Sequence, residues 1–324
     1  RPLGLAPNAL FGGGGGGDRG LPPVHPGDPI PNRREALPFG LLDPDADRTL
    51  ELRLRQLVQQ QAGLDLGYVE QLYTFGDRDR AGQAAGTREI SVAYLALVRE
   101  SHVEGAAQAQ WRNWYALFPW EDWRDGRPPA IDRAIGPALR QWAAAADTTE
   151  RRRARRERVD LTFGLGGAPW DRLRVLERYE LLYEAGLVEE AVRDAVPAGG
   201  TAPPRSPGLD APLGRRMALD HRRIVATALA RLRGKLQYRP VVFELLPASF
   251  TLLRLQRLVE ALAGVRLHKQ NFRRLVERDG LVEGTGVVDE HTGGRPAELF
   301  RFRHEVLRER RAPGLWVPDS GTTG

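Results

Sequence analysis

The apolar positions of this chain fall into two spacings that place most of its elements. Leu50, Leu54, Leu57 and Val58 repeat at the interval of one helix face, and Gly63 after Gln59-Gln60-Gln61 supplies the stop. Residues 68–75 read as an extended segment and 90–98 (ISVAYLALV) as a buried strand, with a polar loop over 79–88. Residues 131–158 read as helical, closing on RRRARRER. Asp171 caps a further helix carrying Leu173, Leu176, Tyr179, Leu182 and Tyr183, which Gly186 ends.

The periodicity changes after residue 220. Asp220 opens a helix through Gln237 with Val225, Ala228, Leu229, Leu232 and Leu236 on one face. A second helix begins at Thr251, stapled by Phe250 and Leu255. It buries Leu252, Leu255, Leu258, Val259 and Leu262 and stops at Gly264. A short turn at 265–267 leads to a third helix over 268–278, with Phe272, Leu275 and Val276 inward. Two strands follow, at 281–289 and 297–303, around a turn at 291–296. Helix, helix, short turn, helix and hairpin is the order of a winged helix-turn-helix, whose helix after the turn enters the major groove.

The 324 residues suffice for two cores, and 41% hydrophobic with 28% charged content is that of a globular chain. Zero Cys excludes disulfides, thiol catalysis and zinc fingers. No stretch reaches the roughly 20 apolar residues of a membrane span, and residues 1–30 lack the apolar run of a signal peptide. The expected location is the cytoplasm. Arg1 opens the chain and Met217 is its one Met, so the start is expected to be trimmed or truncated.

Charge adds a partner. The net charge is +6, yet residues 220–310 hold 18 Lys and Arg against 11 Asp and Glu, leaving the remainder slightly acidic. A basic module on a near-neutral body suggests an anionic partner. Lys269, Gln270, Arg273 and Arg274 on the third helix, and Arg295 on the wing, are the candidate DNA contacts, with Arg266 and His291 behind them. Arg and Lys read guanine, and Gln reads adenine, but each can equally hold a phosphate. Against this stand packing readings: the basic surface as a solvated face, and the module as a protein-docking element.

Two other features carry alternatives. The segment 111–123 (WRNWYALFPWEDW) holds four Trp and reads as an aromatic cluster docking a connection, or as a stacking platform for a base. The run at 151–158 reads as a solvated face before it reads as a phosphate contact.

The stretch 40–64 resembles an eroded Nudix box. Aligned on Gly63 and Leu64, Gln60 and Gln61 stand where the family has its two metal-binding Glu, Gln56-Leu57 replaces Arg-Glu, and Arg48 replaces the earlier Glu. Mg²⁺ prefers anionic oxygens, so hydrolysis by that route is not expected. A Nudix-like domain joined to a winged helix resembles the Nudix-related (NrtR/NadQ-like) transcriptional regulators of NAD metabolism. YVEQLYTFGD (68–77), FPWEDWR (118–124), LYEAGLVEEA (182–191), RLRGKLQY (231–238), FELLP (243–247), NFRR (271–274) and GGRPAELFRF (293–302) are similar to the alphaproteobacterial NAD-biosynthesis repressor subgroup. The family's domain opens with an apolar strand before the box, and residues 1–36 show none.

The expected fold is thus α+β: a degenerate Nudix-like α/β/α sandwich followed by a C-terminal winged helix-turn-helix. The expected bounds are a Gly/Pro-rich tail at 1–35, an effector domain at 36–196, a linker at 197–219, the DNA-binding module at 220–310 and a tail at 311–324. The resemblance implies a homodimer on a palindromic operator in double-stranded DNA. It also implies an NAD-related nucleotide effector, such as ADP-ribose or NAD; no cofactor is expected, and no metal, since the six His show no metal-ligand spacing. Gln60, Gln61, Tyr73 and Phe75 are the candidate effector contacts. The alternatives are a Nudix-type nucleoside-diphosphate hydrolase, with Asp43, Asp45, Asp47 and Glu51 as an unusual acidic site, and a noncatalytic protein-binding scaffold.

Overall fold

The computed structural model describes residues 8–13, 35–76, 90–99, 109–195, 213–290, 296–309 and 314–315. Strand β1 (Asn8–Gly13) lies inside the segment that composition assigns to a tail. It is the middle strand of an antiparallel sheet, between β2 (Glu35–Ala36) and β5 (Ala109–Asn113). Five residues of β1 pair with β5, from Asn8↔Asn113 to Gly12↔Ala109. The expectation of no strand before the box is therefore corrected. The glycine run hid a short segment whose backbone groups are satisfied by β5, a partner about a hundred residues away, which local composition cannot reveal.

Helix α1 (Leu50–Ala62) starts where the Thr49 hydroxyl accepts from the Leu52 N–H at 3.1 Å, and ends on Gly63 at φ 65°. Its buried Val58 and Ala62, with Leu64, pack against Val98 and Trp111. Strands β3 (Tyr68–Phe75) and β4 (Ser91–Leu97) form an antiparallel pair with a bulge between Gln71 and Tyr73. Most of β4 is half-buried, with Leu97 buried, so it lies less deep than its apolar run suggests. Helix α1 thus bridges the two pieces of sheet.

The helical reading of 131–158 resolves into two helices. A π turn at Ile131–Ile135 runs into α2 (Gly136–Ala144). The chain breaks there, and α3 (Thr149–Phe163) restarts where the Thr148 hydroxyl accepts from the Arg151 N–H. Asp171 organises a turn by accepting from the Leu173 N–H at 2.8 Å, and α4 (Val175–Glu184) begins beyond it. Helix α5 (Glu189–Asp194) follows.

The C-terminal module contains α6 (His221–Leu236), β6 (Phe250–Thr251), α7 (Leu252–Ala263) and α8 (Lys269–Arg278). It closes with β7 (Val282–Asp289), β8 (Ala297–Phe302) and α9 (Val306–Glu309). The sheet order is β6-β8-β7, so the hairpin expected from sequence gains a third strand through Phe250↔Phe300 and Thr251↔Leu299. Phe243 stacks on Phe302 at 4.4 Å and lies 5.7 Å from Phe250, sealing the sheet.

A boundary at 219/220 does not separate two cores. One buried cluster runs from Leu97 to Leu315 and includes Phe118, Tyr179, Leu229, Val259 and Val276. Helix α6 packs on α4 and β3 as well as on α7. Ile224 joins Leu72 and Phe75 of β3 in a smaller cluster. Leu213 and Met217, placed in the expected linker, are buried, as is Leu315 in the expected tail. Each fills apolar space that their polar surroundings in sequence conceal; burying such a side chain is worth roughly 1.5–3 kcal/mol. Among the described residues no helix is long and apolar enough to cross a membrane.

Candidate nucleic-acid interface

The turn between α7 and α8 is set by two side chains of α7. Glu260 Oε1 accepts from the Leu267 N–H at 2.9 Å, and Gln256 Nε2 donates to the Leu267 carbonyl at 2.9 Å. Both side chains are buried, and Gln256 also donates to Glu260. One residue of the turn is thus held at both of its backbone groups. Gly264, at φ 74°, ends α7 by donating to Glu260 O. A Cβ there would stand 2.5 Å from the Glu121 carbonyl oxygen, so the left-handed turn and the close approach both require glycine.

Helix α8 buries Phe272 and Val276, packs the half-buried Leu275 beside them and exposes its polar positions. Lys269, Gln270, Asn271, Arg273 and Arg274 are all exposed. Among the described residues, Lys269 and Arg274 make no ion pair, while Arg273 pairs with Glu277 one turn on at 2.8 Å. That pair is half exposed, and such pairs are worth little, so Arg273 can exchange it for an anion. No side chain caps the start of α8. Its first N–H groups and the positive end of its dipole sit beside Lys269, as at anion-binding helix starts.

Arg266 differs from these. Its Nε donates to Arg124 O at 3.2 Å and its guanidinium lies 3.4 Å from Asp125, so it ties the turn to the body while staying two-thirds exposed. His291 and Arg295 lie outside the described residues. Arg254 and Arg257 of α7 are exposed cations that the charge argument passed over. Their off-stripe positions between Leu252, Leu255, Leu258 and Val259 are the signal that could have found them.

The body grips this module through buried charge. Glu121 is fully buried and accepts from Arg178 Nε at 2.5 Å and Nη2 at 3.1 Å, and from Arg233 Nη1 at 2.6 Å. Arg178 also donates to Thr162 O and Asp171 O, and Arg233 to Leu262 O, Arg172 O and Glu121 O. Burial pushes the Tyr115 phenol above its ordinary pKa, keeping it protonated as a donor to Ala261 O at 2.8 Å. Trp123 N–H donates to Gly264 O at 2.7 Å. A second pair, Arg222–Glu190 at 3.1 Å, is equally buried. The segment FPWED is therefore the seat on which the turn and α6 rest. Trp114 and Trp120 are buried, and Trp123 packs on Trp170 at 4.6 Å, in keeping with the docking reading of the aromatic cluster.

The candidate effector residues make separate contacts. Gln61 donates from Nε2 to Phe39 O at 2.7 Å and accepts from the Phe39 N–H at 3.2 Å. This two-way bond needs an amide, since a carboxylate could only accept. Gln60 is exposed. Tyr73 is exposed and meets the buried Phe75 edge-on at 5.1 Å. Phe75 packs toward α6 through Ile224. Two surface hollows, of about 420 and 310 Å³, are lined by residues of α2, α3 and α4 and the turns beside them, and by none of these four. Three of the four nearby acids are engaged: Asp43 accepts from the Asp45 and Ala46 N–H groups, Asp47 pairs with Arg53 at 3.3 Å, and Glu51 pairs with Arg55 at 2.8 Å, while Asp45 is exposed.

Three helices, a fixed turn before the third, and a hairpin joined to a strand preceding the second define a winged helix-turn-helix. Residues 242–302 match the NrtR DNA-binding winged helix domain family. The chain is similar to the ADPR responsive transcriptional repressor NtrR of Acinetobacter baylyi, 40% identical over 86 residues. That match covers 26% of this chain and about a third, 34%, of the repressor's length. The structure is also similar to Shewanella oneidensis NrtR complexed with a 27mer DNA, at 19% identity and TM-score 0.47, over 93% of this chain and 89% of that one. A MutT/nudix family protein from Enterococcus faecalis aligns at 14% identity and TM-score 0.45, over 91% and 79%.

Proposed function

We propose that this chain is a transcriptional regulator that binds double-stranded DNA through α8 and the wing, and whose affinity responds to an NAD-related nucleotide. The observation that carries the reading is α8 itself: Lys269, Gln270, Arg273 and Arg274 exposed along a helix whose opposite face is buried. Arg and Gln at such positions form bidentate contacts with guanine and adenine, and Lys269 beside the open helix start suits phosphate. Arg254, Arg257, Arg295 and His291 are assigned backbone or minor-groove contacts. Arg266 serves first as a tie to the body.

The relative's name gives the effector class, ADP-ribose, and the Nudix-like reading of α1 and the β strands gives the domain that receives it. Gln60 and Tyr73, both exposed, are the better candidates of the four for effector contact. Phe75 and Gln61 support the frame. The chain is proposed to act in the cytoplasm as a homodimer on an inverted-repeat operator, and to be inactive as a hydrolase. Support for inactivity comes from the amide at Gln61 and the ion pairs of Asp47 and Glu51. The route from effector to DNA is the seat at Glu121, since both the turn before α8 and α6 rest on it.

A mobility-shift titration against DNA upstream of NAD-synthesis genes, with and without ADP-ribose, tests the reading. Sequence-preferring, salt-sensitive binding that ADP-ribose alters is the expected result. AMP release from ADP-ribose with Mg²⁺, without DNA binding, points to the hydrolase.

A further inference from the structure

We propose that the exposed face of α3, with Arg140 of α2, is a second DNA contact that holds the phosphate backbone of a duplex without reading its sequence. The proposal rests on the DNA-regulator reading above. Helix α3 carries six Arg, all within residues 151–158, against Glu150, Glu157 and Asp160. Four of the six have partners on neighbouring residues. Arg151 pairs with Asp147 at 2.6 Å, and Arg158 with Glu184 at 2.5 Å. Arg152 donates to Ala146 O at 2.9 Å. Arg155 lies over the Trp142 ring at 4.2 Å and donates to Trp142 O.

Arg153 and Arg156 are exposed and make no ion pair among the described residues. Arg156 and the exposed Arg140 line the same hollow of about 310 Å³ between α2 and α3, together with Ala143, Val159, Asp160 and Gly166.

This arrangement costs stability in the protein alone. Cations in the first turns oppose the helix dipole. Like charges three and four residues apart, as in Arg151–Arg155, Arg152–Arg156 and Arg153–Arg156, repel. The packing of α3 uses Val159, Thr162 and Phe163 and needs neither Arg153 nor Arg156. A polyanion offsets that repulsion, and Arg152 and Arg155, held by backbone carbonyls and the Trp142 ring, keep the arginine face ordered beside the free pair. Duplex DNA is the polyanion that a chain with a winged helix meets, which favours it over an acidic protein.

The test measures affinity against salt for the full chain, using a random-sequence duplex and a duplex selected from a randomised pool. The variants are R153A/R156A, R153K/R156K and, separately, R273A/R274A, each with its thermal midpoint. Removing two phosphate contacts lowers the slope of log affinity against log salt by about 1.8, at about 0.9 per phosphate. R153A/R156A is expected to show that fall on both duplexes with a midpoint no lower than that of the wild type, and R153K/R156K to keep the wild-type slope. An unchanged slope in R153A/R156A, or no binding of the random duplex by the wild type at low salt, overturns the proposal. Failure of the regulator reading looks different: the wild type then shows no preference for any sequence, and R273A/R274A changes nothing.

Discussion

Helices α6 and α8 have similar charge and opposite uses for it. Helix α6 has five Lys and Arg in sixteen residues, and α8 has four in ten. Four of the five in α6 pair with acids of the body: Arg222 with Glu190, Arg223 with Glu180, Arg233 with Glu121, and Lys235 with Glu70. In α8 the cations face solvent, and their acidic neighbours Glu277 and Asp279 belong to the same helix and its cap. A charge total over residues 220–310 counts both sets alike. Much of the surplus that it attributes to a DNA surface is spent inside the protein, as assembly chemistry. The cations left exposed on α7 and α8 are the smaller set proposed for DNA.

The largest way to break this comparison is at the buried end. Glu121→Ala leaves Arg178 and Arg233 without their shared carboxylate, and uncompensated buried charge of that kind costs about 3–5 kcal/mol. Urea unfolding is expected to show that loss, with DNA binding weakened as a consequence; a change under 1 kcal/mol contradicts the seat.

At the exposed end the signs reverse. Arg274→Ala is expected to leave unfolding within about 0.5 kcal/mol of wild type. It is expected to weaken operator binding by about 1–3 kcal/mol and relax one base position. Isothermal titration against matched and single-mismatch duplexes measures both.

Gln61→Glu sharpens the account of the body. It removes the donor to Phe39 O and sets a carboxylate against a carbonyl, so a loss of about 1 kcal/mol is expected in thermal unfolding. Without further acids the variant is expected to release no AMP from ADP-ribose with Mg²⁺.

The smallest effect is at the α4–α5 contact. Burial, aided by the hydrogen bond to Asp194, pushes the Tyr183 phenol from 10.0 up to about 12. The raised value means stability is full below pH 10 and falls as pH climbs toward 12, because the unfolded phenol gives up its proton first. Tyrosinate absorbance followed alongside unfolding midpoints between pH 9 and 12 reads that decline. Tyr183→Phe is expected to make the decline shallower without abolishing it, because burial also raises the Tyr115 and Tyr179 phenols.

Much of this was legible in the chain, and the reasons are specific. The stripes of α7 and α8 followed from Leu255, Leu258, Val259 and Phe272, Val276, because a helix packed on one side repeats its apolar residues at helical spacing. The stop at Gly264 was equally readable. The α6 arginines could have been read too. Arg222, Ala226, Leu229 and Arg233 recur at i, i+4, i+7 and i+11, which puts both guanidiniums on a face with two buried apolar residues. Strand β1 was not readable, because Gly-rich backbone takes its structure from the strand it pairs with. Nor was the bond of Gln61, since an amide aligned with a metal ligand in a motif says nothing of the loop that crosses it. Four of the candidate DNA residues, Lys269, Gln270, Arg273 and Arg274, come together on one helix, while Arg266 lies in the turn before it and His291 and Arg295 fall outside the described residues; the candidate effector residues do not come together, since long-range packing decides which side chains of α1 and β3 face outward.

The most direct measurement is selection of bound duplexes from a randomised pool by the wild type and by R273A/R274A in parallel. The account predicts one enriched sequence with the wild type, and its loss in the variant while the thermal midpoint stays in place. No enrichment with the wild type, or the same sequence enriched by both, contradicts it.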